Sequence, residues 1–371
     1  MTLSSPAPRT PAPPVGRAAT RPRRGPGRFA GALAWLFLPL FLLPVATVLA
    51  HVLMPDQGTW AHLAATVLPD YVANSLLLAL GVGLVTPLIG TATAWLTTLC
   101  RFPGQRLFAW ALILPLAVPG YVMAYAYTDF LDVAGPLQSW LRQALDLQVG
   151  GYWFPEVRSL GGAIALLSLV LYPYVYLLAR AAFLEQSVCA LEVGRTLGYG
   201  PWACFWHVAL PLARPAIVAG TALALMETLA DYGTVAFFGL PTFTTGIVRA
   251  LVSMGDRTAA AQLSTLLLLA VFGVLLLERW SRQRLRFHHT SSKYRALPRH
   301  ELKGIRAPLA TLACLLPLLL GFLLPAGLLL RLWLTDAGGE IDPRFLQWAG
   351  NSVTLAAGAA GGAGAPAPPP G

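Results

Sequence analysis

Seven stretches of mostly apolar residues run through this chain, at approximately 29–50, 74–99, 107–128, 160–183, 213–238, 259–278 and 308–333. Each is close to the ~20 residues that a helix needs to cross a bilayer. An eighth stretch begins at Asn351 and is not completed by Gly371. The chain is 56% hydrophobic and 11% charged, whereas soluble domains carry about 25% charged residues. This composition excludes a soluble globular domain. Spans of this length pair their own backbone amides as helices, so the fold class is all-α integral membrane protein.

The net charge of +10 is concentrated beside spans, which argues against a nucleic-acid partner. Six Arg lie in residues 1–28, and nine Lys or Arg lie between Arg279 and Arg306. Positive residues beside spans favour the cytoplasm. Six spans separate the two runs, so both assignments agree and the N-terminus is expected inside. The 51–73 and 129–159 loops then fall outside and carry Asp56, Asp70, Asp129, Asp132, Asp146 and Glu156. Residues 1–28, rich in Pro, Ala and Arg, are expected to be disordered and cytoplasmic, and 29–50 reads as an uncleaved first helix. Cys100, Cys189, Cys204 and Cys314 are scattered, and His288-His289 sits in a basic linker. Neither set has the spacing of a metal site or a disulfide frame.

An internal repeat follows the first and seventh spans. Residues 74–81 and 351–358 share five of eight positions, including the opening pairs Asn74-Ser75 and Asn351-Ser352. Leu38-Pro39 and Leu43-Pro44 likewise match Leu316-Pro317 and Leu324-Pro325. Duplication is the expected cause. The domains read as 1–28, a first transmembrane domain of six spans at 29–278, a basic cytoplasmic linker at 279–306, the start of a second domain at 307–356, and a tail at 357–371. The tail holds only Gly, Ala and Pro. With so many poor helix formers, it reads as a truncated second repeat or a flexible end.

Between the fourth and fifth spans lies a loop, 184–212, with its own punctuation. Glu185 to Leu197 can form a short helix, Gly198-Tyr199-Gly200 breaks it, and Pro201 suits the start of a second one. Trp202, Phe205 and Trp206 are expected on one side of that second helix. The segment resembles the "EAA" loop of permease subunits in binding-protein-dependent ABC importers. Glu192, Gly194, Gly198, Val208, Leu210 and Pro211 stand at the family's positions. Val193-Gly194 departs mildly from the two small residues usual after the Glu. The resemblance implies a coupling loop that fits a cleft on an ABC ATP-binding subunit in a bacterial inner membrane. It also implies a periplasmic substrate-binding protein and a second permease domain, fused or from another copy. ATP and Mg would sit on the partner subunit, and this chain would bind no cofactor.

The fifth span contains Glu227 and Asp231, an i, i+4 pair expected on one helix face. Carboxylates at membrane depth are costly and face the bundle interior or water, so Glu227, Asp231 and the adjacent Tyr232 are candidates for a translocation pathway. A structural role for the pair is the alternative. Residues 227–249, with Gly239, Thr242 and Thr244-Thr245-Gly246-Ile247, are similar to the iron(III)-transport type of these permeases. So are Pro115, Pro119, Gly120, Tyr121, Ala124 and Tyr125. That type implies ferric iron and two fused permease domains; thiamine, polyamine and sulfate permeases share the architecture. No phosphate-binding Gly-Lys-Ser/Thr occurs and no catalytic motif is found. The expected role is therefore transport without catalysis by this chain. An ion- or proton-coupled carrier would titrate Glu227 and Asp231, but has no use for the 192–211 loop.

Overall fold

The computed structural model describes residues 28–52, 59–185, 200–283, 300–335 and 343–363. It is mostly helical. The first helix, α1 (Arg28–Val52), contains Pro39 and Pro44. Its part up to Ala50 forms a unit by itself, in which the Thr47 hydroxyl donates to the Leu43 carbonyl at 2.7 Å.

The second unit begins with α2 (Thr59–Thr66) and α3 (Leu68–Leu99). Pro near the first position and Asp70 in the first turn suit the start of α3. The chain continues through a two-residue strand β1 (Cys100–Arg101), α4 (Gln105–Ala111), a 3₁₀ turn (Leu114–Ala117), α5 (Gly120–Leu131), α6 (Pro136–Leu145) and α7 (Leu160–Glu185). After residue 200 come a helical turn (Pro201–Cys204), a π turn (Phe205–Ala209) and α8 (Leu210–Ala230). Then follow α9 (Gly233–Phe237), α10 (Phe243–Val248), a second π turn (Arg249–Ser253) and α11 (Arg257–Gln283). Strand β2 (His300–Glu301), α12 (Arg306–Leu318), a third π turn (Leu319–Leu323), α13 (Leu324–Thr335) and α14 (Pro343–Ala363) complete the described chain.

Five continuous helical segments among the described residues are long and apolar enough to cross a membrane: Leu68–Leu99, Leu160–Glu185, Trp202–Ala230, Arg257–Ser281 and Arg306–Thr335. The expected third span is not straight. It bends by 91° between Gln105–Ala117 and Gly120–Leu145. Pro119 lacks a backbone N–H and pushes its predecessor out of the helical region, and Val118 is extended at φ −97°, ψ 114°. The expected fifth span also stops early, at Ala230.

Three helices meet at two glycines. A Cβ on Gly90 of α3 would lie 2.7 Å from Val175 Cβ and 2.8 Å from the Tyr176 nitrogen. A Cβ on Gly220 of α8 would lie 2.6 Å from Val175 Cα. Helix α7 is thus gripped from two sides through its backbone. Membrane helices associate largely by such close van der Waals packing at small residues. Tyr172 and Tyr176, fully buried beside this crossing, belong to a cluster that also holds Trp95, Phe108, Phe183 and Phe205. The Tyr176 hydroxyl donates to the Ala109 carbonyl at 3.0 Å and lies 3.3 Å from the Thr97 hydroxyl.

The seventh span is seated in the same core. Ala310, Cys314 and Leu318 are buried in that cluster. Local chemistry explains one anchor. In the π turn, the Leu324 N–H reaches back to the Leu319 carbonyl, and Pro325 has no N–H for the carbonyl of Leu320. The Tyr127 hydroxyl of α5 takes that free carbonyl at 2.6 Å. At the other end, β1 and β2 pair in parallel, the Leu302 N–H donates to the Arg101 carbonyl at 3.1 Å, and Arg101 meets Glu301 at 3.2 Å. That exposed ion pair contributes little; the backbone pairing gives the register. Burial pushes the Cys100 thiol up to about 11, which keeps it protonated and unreactive.

The expected poor helix former at 357–371 is helical as far as Ala363. Once a helix is nucleated upstream, each added residue costs little, and Ala offsets the glycines among 357–363. Residues 364–371 lie outside the described residues.

Candidate translocation site

The fifth span ends at Ala230 because the backbone turns to an extended conformation at Asp231, φ −64° and ψ 127°. Glu227 and Asp231 therefore do not share a helix face, contrary to the i, i+4 expectation. Glu227 is exposed on α8. Asp231 instead faces the start of α9. Its Oδ2 accepts the N–H groups of Thr234 at 3.1 Å and Val235 at 3.2 Å, and its Oδ1 accepts the Thr234 hydroxyl at 3.0 Å. A carboxylate in this position satisfies helix N–H groups that have no intrahelical partner.

The same residue organises the next turn. Its carbonyl accepts the Thr244 hydroxyl at 2.7 Å. Thr242 and Thr245 form a reciprocal capping box on α10, the Thr242 N–H donating to Thr245 Oγ1 at 2.8 Å. The turn itself needs Gly239 at φ 69°, the left-handed region that glycine adopts without strain. The whole 231–256 segment is thus a fixed stack of short helices.

That segment and α3 enclose an open cleft of about 380 Å³. Tyr71, Tyr232, Thr245, Arg249 and Ser253 supply its polar lining. Tyr232 is 45% exposed, and Arg249 is exposed at the rim. The sequence reading found Tyr232 but missed Tyr71 and Arg249 as cleft residues. An Arg inside the otherwise apolar 246–252 run was the available signal for the latter.

The segment expected to form the coupling loop, 184–212, is described at 184–185 and from residue 200 onward. Glu192, Gly194 and Gly198 fall at 186–199, outside the described residues, as does Cys189. From Pro201 the chain is helical and enters α8 directly through the π turn, so there is no separate second short helix. The expected cluster of three aromatics on one side divides. Phe205 is buried, with its ring centroid 4.6 Å from that of Trp95, while Trp202 and Trp206 are exposed. Val208 and Leu210 are half-buried against the same core. Pro211 stands just after the π turn, inside the continuous Trp202–Ala230 helical segment, where it has no N–H to give the preceding turn. Among the described residues, no group of three or more His, Cys, Asp or Glu could hold a metal ion.

The Asp231 contacts lead to a direct expectation. Asp231→Ala should lower stability by about 1–2 kcal/mol, the usual cost of losing a cap, and Asp231→Asn by less, since its amide oxygen still accepts. Melting in detergent measures this. A fall in uptake with Asp231→Asn at unchanged melting temperature would instead assign a role to the charge.

Residues 29–287 match the family described as binding-protein-dependent transport system inner membrane component. The chain is 26% identical over 250 residues to the Fe(3+)-transport system permease protein FbpB 2 of Haemophilus influenzae, covering 64% of this chain and 45% of that one. It thus spans less than half of that relative. It is 28% identical over 197 residues to the molybdenum transport system permease protein ModB of Escherichia coli, covering 52% of this chain and 83% of the relative. With the sulfate transport system permease protein CysT of Escherichia coli it shares 31% over 202 residues, or 53% and 69%. In fold it is similar to a chain of a bacterial alginate ABC transporter solved with an alginate pentasaccharide-bound periplasmic protein. The TM-score is 0.54 and the identity 13%, covering 69% of this chain and 92% of that one.

Proposed function

Because the chain belongs to the family of inner-membrane components of binding-protein-dependent transport systems, we propose that it serves an ATP-driven importer for ferric iron. The observation that carries the importer reading is the family match over residues 29–287, which runs through the first six expected spans and the 192–211 loop. The iron assignment draws support from the 227–249 and 115–125 segments and from the iron-permease relative. In this reading the chain sits in a bacterial inner membrane with its N-terminus in the cytoplasm. The 231–256 segment then faces outward, where a periplasmic binding protein delivers substrate. Two ABC ATP-binding subunits, holding ATP and Mg, engage two coupling loops. The second loop comes from a second permease domain, fused or from another copy.

A second reading is import of an oxyanion. The observation that favours it is Arg249 at the cleft, accompanied by the hydroxyl-bearing side chains of Tyr71, Tyr232, Thr245 and Ser253. A guanidinium suits an anion, and the molybdenum and sulfate permeases are relatives. Uptake of labelled ferric iron, sulfate and molybdate by cells expressing the complete system separates the two. Iron uptake indifferent to excess sulfate and molybdate is the expected result, and saturable oxyanion uptake alone would replace it. Loss of uptake on ATP depletion, rather than on adding a protonophore, separates both from a carrier.

Coupling has its own test. Glu192→Lys or Gly198→Trp should abolish co-purification of the ATP-binding subunit and lower uptake, while membrane abundance stays near wild type. Unchanged co-purification together with unchanged uptake would remove the 192–211 loop from the mechanism.

A further inference from the structure

The Asn-Ser pair that marks the internal repeat has a definite job in its first copy. Asn74 and Ser75 lie one turn beyond Tyr71 on α3. Asn74 Nδ2 donates to the Pro241 carbonyl at 3.0 Å, and Ser75 Oγ accepts the Phe243 N–H at 3.2 Å. Ser75 is buried, so this second bond is shielded from water. Both bonds reach across 167 or more residues of chain to the backbone of the 231–256 segment. The Phe243 N–H, at the start of α10, has no intrahelical acceptor. The two side chains therefore hold the backbone on either side of the α10 start.

The surroundings fit a closed contact between two elements. Gly246 presses on the Tyr71 ring so closely that a Cβ there would lie 2.5 Å from Tyr71 Cε2. Tyr71, Phe243, Ala250, Ala259 and Leu263 form a small cluster separate from the two larger ones. The cleft lies along this same contact, with Tyr71 on one wall and Thr245, Arg249 and Ser253 on the other. Two hydrogen bonds and a small apolar cluster are a modest closure, of the kind that a switching element can break.

We propose that Asn74 and Ser75 are positioning residues that latch the 231–256 segment to the second span, and that releasing this latch opens the cleft during transport. The proposal rests on the importer reading only for which side the cleft faces. By the repeat, Asn351-Ser352 is the corresponding latch for the equivalent segment of a second permease domain. Asn351 and Ser352 are both exposed on α14.

The test reads the cleft without needing substrate. Ala236→Cys, at a half-buried position of the cleft lining, is introduced into the full chain, and its labelling by a membrane-impermeant maleimide is followed in intact spheroplasts. Adding Asn74→Asp keeps the side chain's size but turns an acceptor toward the Pro241 carbonyl, and Ser75→Ala removes the buried acceptor. Each should label about five- to tenfold faster, the shift expected from losing one ordinary hydrogen bond. Ser75→Thr keeps the hydroxyl and should label at the parent rate, a rescue that a loss of packing would not give. If Ser75→Ala does not reach the membrane, Asn74→Asp, at a half-buried position, carries the test. Parent-like labelling in Asn74→Asp at normal abundance would overturn the latch. Absence of outside labelling in every variant, with latch-dependent labelling after the membrane is opened, would refute the outward assignment and leave the latch standing. Failure of iron uptake with latch-dependent labelling intact would touch the substrate and leave the latch standing.

Discussion

Gly90→Leu is expected to remove the protein from the membrane almost completely. The added side chain meets no movable group: a Cβ at 90 already lies 2.8 Å from the Tyr176 nitrogen and 2.9 Å from the Tyr172 carbonyl oxygen. Backbone atoms of a neighbouring helix cannot rotate away, so α3 and α7 must separate. Overpacking typically costs 1–3 kcal/mol, and a backbone clash at the most crowded crossing should cost about 3 kcal/mol or more. That is a large share of the ~5–15 kcal/mol that holds an ordinary domain together. Gly220→Leu should behave alike, since its Cβ would meet Val175 Cα at 2.6 Å. Gly273→Leu is the control. It is also in a span, but a Cβ there meets nothing within 4 Å, and its abundance and melting temperature should match the parent. Equal melting temperatures for Gly90→Leu and Gly273→Leu would show that the crossing is looser than described.

A second large effect is expected from the seventh span. A chain ended after Gln283 still contains nearly all of the family-matched region, 29–287. It should nonetheless accumulate poorly and be cut rapidly by protease. The ended chain loses Ala310, Cys314 and Leu318 from the main core, leaves the Tyr127 hydroxyl without its acceptor, and strips β1 of its only partner among the described residues. Co-expressing residues 300–335 as a separate membrane segment should restore much of the loss. A point variant gives the same answer more gently. Cys314→Asp places a carboxylate at a fully buried position, at a cost of several kcal/mol unless it stays protonated. Wild-type protease resistance in the chain ended after Gln283 would mean that the seating is incidental.

The spans were legible because length and apolarity are local properties. Their interruptions were only partly so. Pro115 and Pro119 stood in view inside 107–128, yet whether a proline bends or breaks a span depends on what packs against the freed carbonyls. At Asp231 the spacing to Glu227 mimicked a helix face. The decisive fact was instead the match between its carboxylate and the N–H groups of Thr234 and Val235, three and four residues on. Tyr71 and Arg249 come from distant parts of the chain, and no local pattern brings them to one cleft. The seating of 306–335 was illegible for a similar reason. It depends on a π turn set by Pro325 and on a tyrosine hydroxyl contributed by α5. The coupling loop is the reverse case. Glu192, Gly194 and Gly198 were expected there through the family resemblance, while the described residues reach only Val208, Leu210 and Pro211.

The late seat of the seventh span also dictates an order of assembly. Helices α3 to α11 can all be in the bilayer while their shared core still lacks a wall. The missing wall is synthesised after them. At ~5–20 residues per second, the stretch from Gln283 to Thr335 takes roughly 3–10 s to emerge. During that interval Tyr127 and the aromatic cluster around Tyr172 face lipid or whatever helix is nearest. Mispairing is therefore a hazard of biogenesis concentrated at one face and one moment, and an insertion factor that guards nascent spans would find its client surface there.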